Sequence, residues 1–182
     1  MIRLKTPLSE EDILKLKIGD RVLLSGIIYS ARDTAHKRLV ELIDKGEPTP
    51  IDLKGQVIYY VGPAPAKPGY PIGPAGPTTS VRMDPYTPKI LSRGVKGLIG
   101  KGNRTQPVID ALKKWKAVYF VAIGGAAALI SKRIKSAKVV AYEDLGTEAI
   151  REMEVEDFPL IVANDAHGGD LFQEGVGRFK VE

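Results

Sequence analysis

Apolar and polar positions along this chain follow two alternating periods. Residues 21–29 (Arg-Val-Leu-Leu-Ser-Gly-Ile-Ile-Tyr) and 56–61 (Gln-Val-Ile-Tyr-Tyr-Val) are nearly continuous apolar runs, the second bounded by Gly55 and Gly62. Runs of this length, rich in β-branched and aromatic residues, predict buried strands. Shorter runs at 97–100, 117–123, 138–142 and 160–163 predict further strands or, for the first, a strand-like turn. Between them the spacing becomes helical. Ser9-Glu10-Glu11-Asp12 has the form of a capping box ahead of Ile13, Leu14 and Leu16. A helix over 33–45 places Ala35, Leu39, Leu42 and Ile43 on one face, with Asp33 as its expected N-cap. Helices are also expected over 86–93, 107–115 and 126–134. The alternation predicts an α/β domain with a partly parallel sheet, spanning 1–182 as one unit. No internal repeat is visible, and the glycine-rich tail 164–182 carries no strong periodic signal.

Composition narrows the classes. With 43% hydrophobic and 27% charged residues, the 182-residue chain is that of an ordinary globular protein with a sizeable core. The longest apolar stretch, 117–130, contains two glycines and is too short to span a bilayer as a helix. The N-terminus lacks the apolar core of a signal peptide, so a cytoplasmic location is expected. Cysteine is absent, which excludes disulfides and any thiolate-held zinc or iron–sulfur cluster on this chain. Two histidines do not make a self-contained metal site, and no metal ligands are assigned. The net charge of +5 comes from bases scattered among acids, which reads as a solvated surface or a small-anion site. Neither nucleic acid nor a membrane is expected as a partner.

The candidate chemistry concentrates in loops. Residues 62–77 hold six prolines and four glycines, either a solvated linker or a backbone stiffened around a ligand. The loop runs into Gly-Pro-Thr-Thr-Ser-Val-Arg-Met-Asp (76–84), where glycine lets the backbone approach a bound group and Arg82 offers a planar fork to a carboxylate. Pairing of Arg82 with Asp84 is an equally open reading. No P-loop spacing follows. Arg32-Asp33 lies where a strand hands over to a helix, a place where ligands collect in open α/β sheets. Lys101 sits between Gly100 and Gly102, either an anion-directed charge or an exposed turn lysine. Ile123-Gly-Gly-Ala-Ala-Ala128 lacks the dinucleotide-binding spacing and reads as a helix–strand packing site. His167 reads as a surface-loop residue, and His36, one helical turn beyond Arg32, as the histidine nearer the cleft. Unaided, these residues describe a site for a small multi-anionic ligand, with Arg32, Arg82 and Lys101 as cations and Thr78 as a hydroxyl.

In combination, the 76–84 segment, Ala-Arg-Asp-x-Ala-His (31–36) and Lys-Gly-Asn-Arg (101–104) resemble the β component of class I fumarases, a pattern shared with tartrate dehydratase β subunits. Segments 120–129 and 140–146 are similar to the same family. The resemblance implies a swivelling β/β/α domain, with a central mixed sheet flanked by helices. It implies docking on a larger α subunit that holds a [4Fe–4S] cluster through three cysteines, as an αβ heterodimer or α2β2. The small dicarboxylate substrate would be held by Arg32, Arg82 and Lys101, with Thr78 as the catalytic threonine. Asp33, His36, Gly76, Thr79 and Asp84 would stand behind them. The implied reaction is the reversible hydration of fumarate to (S)-malate. Tartrate dehydration is the alternative, and a non-catalytic anion-binding module a more distant one.

Overall fold

A computed structural model describes residues 1–122 and 127–179. Its strands are β1 (Ile2–Lys5), β2 (Arg21–Ser30), β3 (Val57–Tyr59), β4 (Gly97–Gly100), β5 (Val118–Ala122), β6 (Ile134–Ala141) and β7 (Ile150–Asn164). Its helices are α1 (Glu10–Leu14), α2 (Asp33–Asp44), α3 (Thr87–Ser92), α4 (Gln106–Trp115), α5 (Ala127–Ser131) and α6 (Leu171–Phe179), with a 3-10 turn at Ser80–Met83.

The strands from β1 to β5 pair in parallel in sequence order, each with the next. The long β7 runs antiparallel to β2, β5 and β6. Because β7 pairs with β5 and also with β2, the pairings β2–β3–β4–β5–β7 close into a ring, with β1 and β6 added outside it. Period-two alternation then sorts the side chains. Val57, Tyr59 and Val61 join Leu24, Ile28, Ile99, Phe120, Met153 and Phe158 in one apolar cluster. Ile58 and Tyr60 face the other way, with Leu98 and Tyr119, under Leu39, Ile90, Leu91 and Leu112 of the helices. Each such fully buried side chain contributes on the order of 2 kcal/mol. This two-sided burial is why β3 reads as an unbroken apolar run rather than an alternating one.

The capping box at Ser9 forms as expected, its hydroxyl accepting from the Asp12 N–H at 3.1 Å. Several expectations need correction. Arg32, not Asp33, is the N-cap of α2, and Asp33 occupies the first turn with its carboxylate committed elsewhere. The helix expected over 126–134 ends at Ser131, and Ile134 already begins β6. The strand expected at 160–163 is the end of a 15-residue strand. Its first part, where Ile150, Met153 and Val155 are buried between charged residues, has a pattern too polar to suggest a strand. The tail does contain a helix, α6, begun by the Asp170 carboxylate accepting from the Phe172 N–H. Residues 123–126, most of the small-residue segment weighed above, lie outside the described residues.

Candidate active site

The site is assembled where β2, β3 and β4 end at their carboxyl termini, the edge at which parallel sheets present ligands. Beyond β3 the Tyr60 N–H still bonds to the Ile99 carbonyl, and then the strands part. The segment 78–80 fills the gap. The Thr78 N–H donates to the Tyr60 carbonyl at 2.7 Å, the Lys101 N–H to the Thr78 carbonyl at 3.3 Å, and the Ser80 N–H to the Lys101 carbonyl at 3.0 Å. Thr79 and Lys101 thus form a parallel bridge. The ladder sets the backbone of Lys101 against those of Thr78 and Thr79, with Thr79 as its bridge partner.

The Gly/Pro loop feeding this splice is anchored at both ends, while residues 65–71 are exposed. The Ala64 N–H donates to the Pro74 carbonyl and the Gly73 N–H to the Ala64 carbonyl, so the loop folds back on itself. The Tyr59 hydroxyl donates to the Ala75 carbonyl, and Ile72 and Ala75 are buried in the core. Gly76 lies close to α5, since a Cβ there would sit 3.2 Å from that of Ala127.

Arg32 leaves the end of β2 and lies across Gly62, just past β3. A Cβ at Gly62 would be 2.8 Å from the Arg32 Nη1 and 3.1 Å from its Cδ, so the missing side chain is the space the guanidinium stem occupies. Arg32 Nε is buried without a hydrogen-bond partner. Behind it, the fully buried His36 ring donates from Nδ1 to the Arg32 carbonyl at 2.8 Å and packs edge-on against Tyr60. Burial pushes the His36 pKa down to about 4, so the ring is neutral near pH 7. It supports Arg32's backbone rather than reaching a cleft as a proton carrier.

Arg82 does not pair with Asp84. Its Nε and Nη2 both reach Asp33 Oδ2, at 3.0 and 2.8 Å, joining the 3-10 turn to the start of α2. Asp84 is buried and belongs to Arg104, whose Nε donates to its Oδ1 at 2.7 Å. The other carboxylate oxygen accepts from the Thr105 N–H and hydroxyl, both at 2.7 Å. Arg104 further donates to Thr87 and Tyr60 and lies over the rings of Tyr60 and Tyr119. Burial opposes its charge, but Tyr60, Asp84 and Tyr119 outweigh that and raise its pKa. Ser80 Oγ meets the Tyr119 hydroxyl at 2.8 Å, and that hydroxyl donates to the Gly102 carbonyl. These bonds tie the loop bearing Thr78 and Arg82 to the loop bearing Lys101.

Sequence reasoning named Asp84 but missed Arg104, Ser80, Tyr119 and Gly62. Arg104 closes the Lys-Gly-Asn-Arg segment, where neighbouring glycine and polar residues give no sign that it is buried. Thr79 is exposed and serves through its backbone. His167 lies in a loop organised by Asp165, which accepts from the N–H groups of Ile18, His167 and Gly169. That loop is remote in sequence from the splice and shares no hydrogen bond with it among the described residues.

Three groups at the strand ends carry no protein hydrogen bond or ion pair among the described residues: the Arg32 guanidinium, the Lys101 ammonium and the Thr78 hydroxyl. With the outer edge of Arg82 they are groups of the chemistry that a small polyanion requires.

The chain matches the family model described as Fumarase C-terminus over residues 1–175. It belongs to that family. It is 42% identical over 181 residues to the anaerobic class I fumarate hydratase of Escherichia coli K12, covering 97% of this chain and 33% of that protein. Against fumarate hydratase 2 of Leishmania major the identity is 40% over 177 residues, covering 95% and 31%. The chain therefore spans about a third of the length of these fumarate hydratases. It is 37% identical over 173 residues to the putative L(+)-tartrate dehydratase subunit beta of Methanocaldococcus jannaschii, covering 92% of this chain and 89% of that subunit.

Proposed function

We propose that this chain is the β component of an iron–sulfur hydro-lyase that hydrates fumarate reversibly to (S)-malate. In this reading it is one swivelling β/β/α unit that completes the active site of a larger α subunit in the cytoplasm. The observation that carries the reading is the set of uncommitted groups at the ends of β2, β3 and β4: Arg32, Lys101 and Thr78, with Arg82 beside them. The match to most of a protein named as a separate β subunit supports the two-chain form. It also favours L(+)-tartrate dehydration as the second reading.

An iron–sulfur cluster does not fit on this chain. The chain has no cysteine, and among the described residues no three His, Asp or Glu side chains converge. The cluster belongs to the α subunit in this reading, and departure of the hydroxyl is left to groups outside these residues.

What this chain supplies is binding and proton handling. A proton on carbon next to a carboxylate is very weakly acidic. Its removal becomes feasible when cations already in place stabilise the charge spreading into that carboxylate. In this reading Arg32 and Lys101, which follow β2 and β4 on either side of β3, and Arg82, paired with Asp33 of α2, hold the two carboxylates. Thr78 carries the proton to or from carbon. Its hydroxyl is a poor base unaided, and in this reading Lys101, whose backbone N–H bonds to the Thr78 carbonyl, is the activating group this chain offers.

The test is co-expression with the cluster-bearing subunit and anaerobic assay on fumarate, malate and L(+)-tartrate. Thr78→Ala is expected to lower kcat at least about a hundredfold with the complex intact. Normal turnover by that variant overturns the assignment, and preference for tartrate selects the second reading.

A further inference from the structure

We propose that Asp33 is a positioning residue that aims Arg82, holding one edge of its guanidinium so that the terminal fork stays open for a substrate carboxylate. The inference rests on the hydro-lyase reading and extends it to a residue that does not touch substrate. A planar guanidinium has a side edge, Nε with Nη2, and a terminal edge, Nη1 with Nη2. Arg82 meets Asp33 through the side edge alone: Nε donates to Oδ2, and Nη2 lies in ion-pair contact with the same oxygen. Nη1 and the outer hydrogen of Nη2 have no protein partner among the described residues, so the edge best matched to a carboxylate is left free.

The geometry is poor for stability and good for orientation. A pair built to stabilise the fold would set both carboxylate oxygens against the fork, yet Asp33 Oδ1 is buried with no partner. The Arg82 side chain is 51% exposed, where ion pairs contribute little to folding. Left unheld, an arginine so exposed has substantial rotamer entropy to lose on binding. Asp33 removes part of that freedom beforehand. It does so from the first turn of α2, whose preceding residue is Arg32. The Asp33–Arg82 pair therefore sets the spacing between the two arginines that grip the dicarboxylate.

A competing role predicts the opposite sign. If Asp33 only neutralised Arg82 and competed with substrate, removing it would tighten binding. The test uses the reconstituted complex with Asp33→Ala, Asp33→Asn, Arg82→Lys and the double variant Asp33→Ala/Arg82→Lys. Asp33→Ala is expected to raise the dicarboxylate KM about tenfold with kcat changed less than about twofold, and Asp33→Asn, which keeps an acceptor, to fall between. In the Arg82→Lys background, where the side edge is gone, Asp33→Ala should add less than about a twofold change. An unchanged or lowered KM in both Asp33 variants overturns the proposal, as does a tenfold effect that persists without Arg82. If Arg82→Lys alone leaves KM unchanged, Arg82 does not bind substrate, and the hydro-lyase assignment of that residue fails first.

Discussion

Thr79 and Lys101 lie side by side in a parallel bridge, Lys101 directly following β4 and Thr79 arriving from the loop after β3. The backbone spacing of Thr78 and Lys101 is thereby set by the same ladder that builds the sheet.

Gly100 is the residue that permits this splice. A Cβ there would run into Ser80 Oγ and come within 2.8 Å of Tyr60 Cδ2, both in packed surroundings. Gly100→Ala is expected to cost about 1–3 kcal/mol in denaturant unfolding. It should also lower kcat in the complex, because the collision pushes on the segment that carries Thr78.

Gly62 gives a contrasting outcome. Its backbone is not in the left-handed region, and the atoms a Cβ would meet, Arg32 Nη1 and Cδ, belong to a flexible side chain. Gly62→Ala should leave stability within about 0.5 kcal/mol. It displaces Arg32, so the dicarboxylate KM should rise by about tenfold or more. Equal losses of stability and affinity would show that Arg32 is not the residue affected.

The Arg104–Asp84 pair is buried, with side-chain exposures of 0% and 6%. Removing one partner leaves an uncompensated charge in a dry site, so Arg104→Met should destabilise by about 3–5 kcal/mol. The double variant Arg104→Met/Asp84→Asn should recover part of that loss in the same unfolding measurement, because the stranded charge is gone.

His36 makes a pH-dependent contribution. Its pKa is about 4 in the folded protein, pulled down by burial from the usual 6.5. Below pH 6.5 the unfolded chain takes up a proton that the native ring refuses. Stability is therefore fully present above pH 6.5, declines as pH falls toward 4, and levels off below that. The total is on the order of 3 kcal/mol. His36→Phe should flatten the fall in unfolding free energy between pH 6.5 and 4, measured against the parent chain at matched salt.

Much of the framework was legible in the chain itself. The apolar runs at 21–29, 56–61 and 97–100 and the capping box at Ser9 reflect local preferences and burial on two faces, which a linear pattern records. The first half of β7 was not, because its polar residues interrupt the apolar run and only pairing with β2 and β6 makes it a strand. α6 was hidden by Gly175 and Gly177, which depress helix propensity.

By itself the sequence determined most of the alternating elements and the absence of thiolate ligands, and it singled out Arg32, Thr78, Arg82 and Lys101 as the candidates on which the proposal rests. Tertiary structure alone decided who holds whom. Arg82 pairs with a carboxylate 49 positions away rather than the one two residues on, and Asp84 with an arginine 20 positions on. The reason is that charged side chains are matched by burial and direction in space. Strand ends that part beyond Tyr60 bring together loops whose order in the chain carries no record of that meeting.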